Sequence, residues 1–181
     1  MRDGRPVGID AEQAAIRRRG FQEPLGVPTA ADDLKYHYTQ GMALGGRHLQ
    51  YSGNLRAQHT RDMTLSIDQI AIGGRGSVRG FDGDAVLLAE NGWIWRNELA
   101  TPVSLGDKVR HGALFAALDM GRVWGPSDIN LVGNKLAGAG VGLRGDVSNI
   151  QFQFTLAAPL RRPEGFRTRR WSAYASLSYA F

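Results

Sequence analysis

Cysteine is absent from the 181 residues, which excludes disulfides and thiolate metal sites and suits a chain that crosses an oxidising compartment. Long apolar runs are missing too, and no stretch approaches the roughly 18 residues of a membrane-spanning helix. The N-terminal Met1-Arg2-Asp3-Gly4-Arg5 lacks the apolar core of a secretory signal. The lack of a long apolar run does not bear on a transmembrane β-barrel, whose strands cross as segments of about ten alternating residues. Helix is also in short supply, as 24 glycines suggest. Residues 1–33 are polar and broken by Pro6, Pro24 and Pro28, and only Asp10–Arg19 reads as a short helix, with Asp10 as its N-cap.

Several chemistries are excluded by what their motifs require. The glycine-rich Gly73–Phe81 segment, GGRGSVRGF, resembles a phosphate cradle, but Arg79 stands where a dinucleotide loop needs its third glycine, and no Gly-Lys-Ser/Thr follows. The formal charge of +5 and pI near 10 invite a nucleic-acid reading. The excess is modest, however, at 22 basic against 17 acidic residues. Its clusters, Arg17–Arg19 and Arg161, Arg162, Arg167, Arg169 and Arg170, read as loops facing water or anionic lipopolysaccharide. His37, His48 and His59 recur every eleven residues, but without carboxylates at ligand spacing, so no metal is assigned. There is no nucleophile elbow, hence no catalytic residue, no cofactor and no enzyme class.

What is present is a period of two, again and again. Trp171, Ala173, Ala175, Leu177, Tyr179 and Phe181 alternate with Ser172, Tyr174, Ser176, Ser178 and Ala180. The same holds in 150–158, in 136–147 and in 48–58, and seven strands are expected at 34–44, 47–59, 92–103, 112–124, 136–147, 150–160 and 171–181. The gaps are too short for crossover helices, so the pairing is antiparallel. Connections alternate in length: Ser148-Asn149 is a minimal turn, whereas 125–135 and 161–170 are longer and polar. Aromatics collect at strand ends (Trp93, Trp95, Trp124, Trp171, Tyr179, Phe181). Long strands, loop asymmetry and terminal aromatics together favour an all-β antiparallel transmembrane barrel over a soluble all-β binding domain, which stays open as the alternative. Parity turns Phe115, Ala117 and Asp119 inward, with Leu114, Ala116, Leu118 and Met120 toward lipid. Ile94, Arg96, Glu98 and Ala100 are likewise inward, which places the charges of Arg96 and Glu98 in the lumen and leaves Asn97 anomalously on the lipid face.

The order and spacing of four segments carry a family resemblance: SIDQIAIGGRGSVRGF (66–81), NGWIWRNEL (91–99), LFAALDMGRVW (114–124) and a last strand ending in Phe181. From about residue 34 onward the chain resembles the C-terminal barrel of the Omp85 superfamily. Within it, the W-x-W-R-N-E-L strand (93–99) points to the two-partner secretion transporters, the haemolysin and filamentous-haemagglutinin secretion/activation proteins. The resemblance implies about seven to eight strands of a sixteen-stranded outer-membrane barrel, with 34–181 as its C-terminal part and 60–91 as a loop folded into the lumen. It implies that Val78, Arg79, Gly80 and Phe81 form the loop's anchor and that Arg79 pairs with a wall carboxylate at Asp119, with Phe115 and Gly121 beside it. The glycines then let the loop approach the wall, and Phe81 serves as an apolar plug. The implied function is passage of an unfolded exoprotein (adhesin, haemolysin or contact-dependent toxin) from periplasm to surface, with an assembly or insertase barrel as the related alternative. Periplasmic POTRA domains are expected upstream, so the chain is expected to be a piece of a longer protein, a mis-called frame or a remnant.

Overall fold

The computed structural model describes residues 32–106 and 109–179; the helix read at Asp10–Arg19, the arginines at 17–19 and the terminal Ala180 and Phe181 lie outside them. Strands β1 (Asp32–Leu44) and β2 (Arg47–His59) are joined by Gly45-Gly46, both at positive φ, as a tight hairpin turn requires. A small hairpin of β3 (Ile70–Ile72) and β4 (Leu87–Ala89) follows, then β5 (Asn91–Pro102), β6 (Val109–Trp124), β7 (Lys135–Val147), β8 (Ile150–Arg161) and β9 (Ser172–Tyr179). Seven long strands form one antiparallel sheet, in the order β1-β2-β5-β6-β7-β8-β9, and the β3–β4 hairpin stands apart from it. All seven expected strands are present. β6 starts earlier than its alternation suggests, through a register shift between Arg110 and Ala113, and β9 leaves Trp171 outside.

The period of two separates two faces with opposite fates. On β6, Leu114 and Leu118 are 48% and 43% exposed, while Phe115, Ala117 and Asp119 are 4%, 7% and 0% exposed. Leu99, Val141, Phe154, Leu156 and Leu177 continue the exposed apolar face over the neighbouring strands. A sheet stabilised in water would cover a contiguous apolar face of this kind. Asn97, the apparent anomaly on that face, is satisfied locally. Tyr51 donates its phenol to Asn97 Oδ1 (2.6 Å), and Asn97 Nδ2 donates to the Leu118 carbonyl (3.0 Å). Gly53, opposite Asn97, leaves the space that the Tyr51 ring occupies.

The opposite face is covered by the segment between β2 and β5. Its Ile70, Ile72, Val78, Phe81, Leu87 and Ala89 pack against Ile94, Val123 and Leu136 of the sheet. Full burial of an Ile, Leu or Phe side chain contributes about 1.5–3 kcal/mol, so this cluster is what seats the segment. The loops between β6 and β7 and between β8 and β9 depart from the expected polar character. Leu131 packs on the cluster, and Phe166 is buried in it, edge-on to Phe81 at 5.7 Å and 81°. An apolar insertion at the end of the sheet needs a lid, and these two residues supply it.

Candidate functional site

The site begins with a tight turn. Ser77 Oγ accepts the backbone N–H groups of Gly73 (3.0 Å) and Gly74 (3.2 Å) and donates to the Gly74 carbonyl, which also accepts from Ser77 N and Val78 N. The turn aims Val78 and Arg79 at the sheet. Val78 comes close to Gly121, where an added Cβ would meet Val78 Cγ2 at 3.4 Å and Ile72 Cγ2 at 2.9 Å.

Arg79 meets Asp119 side-on. Its Nε donates to Oδ2 (2.7 Å), its Nη2 to Oδ1 (2.8 Å) and its backbone N–H to Oδ2 (3.0 Å). Nη1 donates to Glu98 Oε2 (2.7 Å), and Nη2 also to the Asn97 carbonyl (3.1 Å). Arg79 is 6% exposed and Asp119 fully buried, so these are bidentate, charge-assisted bonds with little solvent screening. Burial opposes the guanidinium charge, but the hydrogen bonds and charges of Asp119 and Glu98 outweigh it and raise the Arg79 pKa above the ordinary arginine value.

Two further arginines complete the network. Arg96, opposite Asp119 across β5 and β6, brings Nε to 3.6 Å from Asp119 Oδ2 and donates from Nη1 to the Gly76 carbonyl (3.4 Å). Arg144 holds the second Glu98 oxygen while its guanidinium lies 5.4 Å over the Phe115 ring. Phe115 therefore supports the network through Arg144 and fills the space above Gly142, where an added Cβ would strike its ring.

The loop backbone is seated as closely as its arginine. A Cβ on Gly138 would overlap the Arg79 carbonyl oxygen, so only glycine fits there. Gly80 has φ +99°, and its Cβ would lie 2.5 Å from the Ala158 carbonyl, so glycine is required twice over. Tyr174 on β9 locks the next bond: its hydroxyl accepts from Gly80 N (3.3 Å) and donates to the Phe81 carbonyl (2.8 Å). The Arg75 guanidinium lies over the same ring at 5.3 Å, the favourable cation–π geometry. Phe81, expected as a plug, is instead a core residue against Phe166. Sequence reasoning missed Ser77, Gly138, Arg144 and Tyr174. One signal was available: Gly138, Gly140 and Gly142 share the inward parity of β7 and strip that wall of side chains beside Asp119.

A second polar cluster sits where the segment rejoins β5. Glu90, fully buried, accepts from the Ser127 hydroxyl and backbone N–H (3.2 Å) and from Gln69 Nε2 (3.2 Å). Gln58 donates to the Glu90 carbonyl (3.2 Å), and Asn91 Oδ1 accepts Thr60 N (2.8 Å). Burial alone would raise the Glu90 pKa, but the Ser127 and Gln69 donors and its own backbone N–H reverse the effect and hold it below the ordinary glutamate value. Neither cluster sets a nucleophile beside a base; both hold a loop against a wall.

Known proteins are similar to this chain in sequence and in fold. The model of the haemolysin secretion/activation protein ShlB/FhaC/HecB family matches residues 31–145. Outer membrane transporter CdiB-2 of Burkholderia pseudomallei is 34% identical over 142 residues, 76% of this chain and 24% of that protein. Outer membrane transporter CdiB of Escherichia coli is 31% identical over 125 residues, 69% of this chain and 21% of that protein. Among solved structures, CdiB from Acinetobacter baumannii superposes with a TM-score of 0.73 at 26% identity, over 81% of this chain and 26% of that one. CdiB from Escherichia coli gives 0.74 at 24% identity, over 90% of this chain and 30% of that one. The chain thus spans about a quarter of the length of the relatives it matches, and its sheet is an arc of their barrel.

Proposed function

Because the chain belongs to the haemolysin secretion/activation protein ShlB/FhaC/HecB family, we propose that the intact protein exports an unfolded exoprotein through an outer-membrane β-barrel. Segment 60–90 is the loop inside that barrel, and the Arg79–Asp119 pair is its anchor. The cargo in this reading is an adhesin, a haemolysin or a contact-dependent toxin, and the relatives named outer membrane transporters support the site of export. The role is transport, with no catalytic step assigned to any residue. Periplasmic domains that capture the cargo belong to the intact protein in this reading.

The observation that carries the proposal is the buried bidentate pair between a loop-tip arginine and a wall carboxylate on the polar face of a sheet whose other face is apolar. Buried ion pairs of this kind are poor sources of net stability but are strongly destabilised when one partner is removed. They suit a device that must hold one position and release it as a unit. The test is export in intact cells. Arg79→Ala and Asp119→Ala in the full-length protein are each expected to reduce the exoprotein at the cell surface, with the barrel still in the membrane fraction. Undiminished export together with unchanged pore conductance in both variants refutes the anchor. Recovery of the full-length protein in the soluble fraction refutes the barrel.

A further inference from the structure

Three cations stand side by side on the apolar face, at the end of the sheet where the long loops emerge. Arg122 on β6 lies between Trp93 of β5 and Lys135 of β7 in the strand register. Arg161 on β8 lies opposite Ala137, two residues along from Lys135 on the same face. Arg161 reaches that face only because the register shifts between Ala137 and Gly138. The alternation of Phe152, Phe154, Leu156 and Ala158 would otherwise turn position 161 toward the loop. Bulges commonly re-aim a side chain in this way.

All three side chains are exposed, and none has a carboxylate partner among the described residues. The outward positions of β5 to β9 carry no acidic residue. Like charges on directly neighbouring strands repel, so this row favours an anion from outside the chain. Cross-strand and diagonal neighbours stand about 5–8 Å apart at Cα, within reach of one phosphate for side chains as long as Arg and Lys. The Arg122 guanidinium lies 5.7 Å over the Trp124 ring, and exposed Trp171 stands at the same end, an aromatic setting suited to a membrane–water boundary. Below the row, Leu118, Val141 and Leu156 are exposed and apolar.

We propose that Arg122, Lys135 and Arg161 form a binding site for the phosphates of the outer-leaflet lipopolysaccharide headgroup. Two guanidiniums offer forked donors and the lysine a point charge, a combination suited to a phosphate monoester. The site rests on the outer-membrane reading above. Its test uses the full-length protein in detergent and the temperature at which the folded band on unboiled gels is lost. Bisphosphorylated lipid A should raise that temperature by several degrees, because it binds only the folded barrel. Dephosphorylated lipid A and phosphatidylglycerol should leave it unchanged. The triple variant R122Q/K135Q/R161Q should lose the response, Arg161→Gln alone should lose part of it, and R122K/R161K should keep most of it. An equal response from either control lipid, an undiminished response in the triple variant, or no effect of Arg161→Gln overturns the site. Absence of any folded band in the unsubstituted protein counts against the barrel instead.

Discussion

The two ends of the loop are held by different chemistry. At its tip, Arg79 binds carboxylates of the sheet itself, Asp119 on β6 and Glu98 on β5, with Arg96 and Arg144 as flanking cations. At its base, Glu90 is held by neutral donors, Ser127 of the β6–β7 loop and Gln69 of the same segment. The tip is a charge balance between loop and barrel wall, and the base is a solvating cage between loops. Removing one member of the first strands a buried charge, whereas removing the charge from the second leaves groups that can still bond one another. The tip therefore tolerates substitution less.

The largest effect expected is that of Asp119→Ala. It leaves Arg79 buried without its bidentate partner and Arg96 without its nearest carboxylate, so a loss of about 3–5 kcal/mol is expected in urea unfolding of the full-length barrel in lipid vesicles. Next is Gly138→Ala, whose Cβ must push the Arg79 carbonyl away from β7, at an expected cost of about 1–3 kcal/mol. Limited proteolysis should then cut the 73–83 segment faster, although every charged group is retained. Similar proteolysis of the variant and the parent would show that the loop does not depend on this close approach.

Glu90→Gln separates the two ends. It should cost about 1–2 kcal/mol and loosen the 125–134 loop in hydrogen exchange, while export stays closer to normal than in Asp119→Ala. The acid response follows from the lowered Glu90 pKa. Its stabilisation is complete above the ordinary glutamate range, about pH 4, and is lost as pH falls through the lower folded value. Glu90→Gln should flatten that acid limb, and an unchanged pH–stability curve would remove Glu90 as its source. The smallest effect is that of Tyr174→Phe, about 1 kcal/mol, since the ring and its contact with Arg75 remain while the bonds to Gly80 and Phe81 are lost.

Strands and their inward faces were legible because a period of two is written in consecutive residues, as Leu114 to Met120 show. Arg79 and Asp119, forty residues apart, came together through resemblance to a family, and parity agreed by turning Asp119 inward. Tyr174 and Arg144 were not legible, because no local pattern says which inward residue of a distant strand a loop will reach. Asn97 looked like a flaw in the pattern until the register set it beside Tyr51. Phe166 was hidden in a loop of arginines, and its purpose depends on the position of Phe81.

A double-mutant cycle tests the anchor most directly. Arg79→Ala, Asp119→Ala and the double variant would be compared in the full-length protein by urea unfolding in vesicles, with export measured in parallel. If the buried pair fixes the loop, the double variant is no worse than the poorer single variant, and a coupling of about 2–3 kcal/mol appears. Additive losses, with no coupling, would mean that Arg79 and Asp119 act separately and that the loop is held by something else.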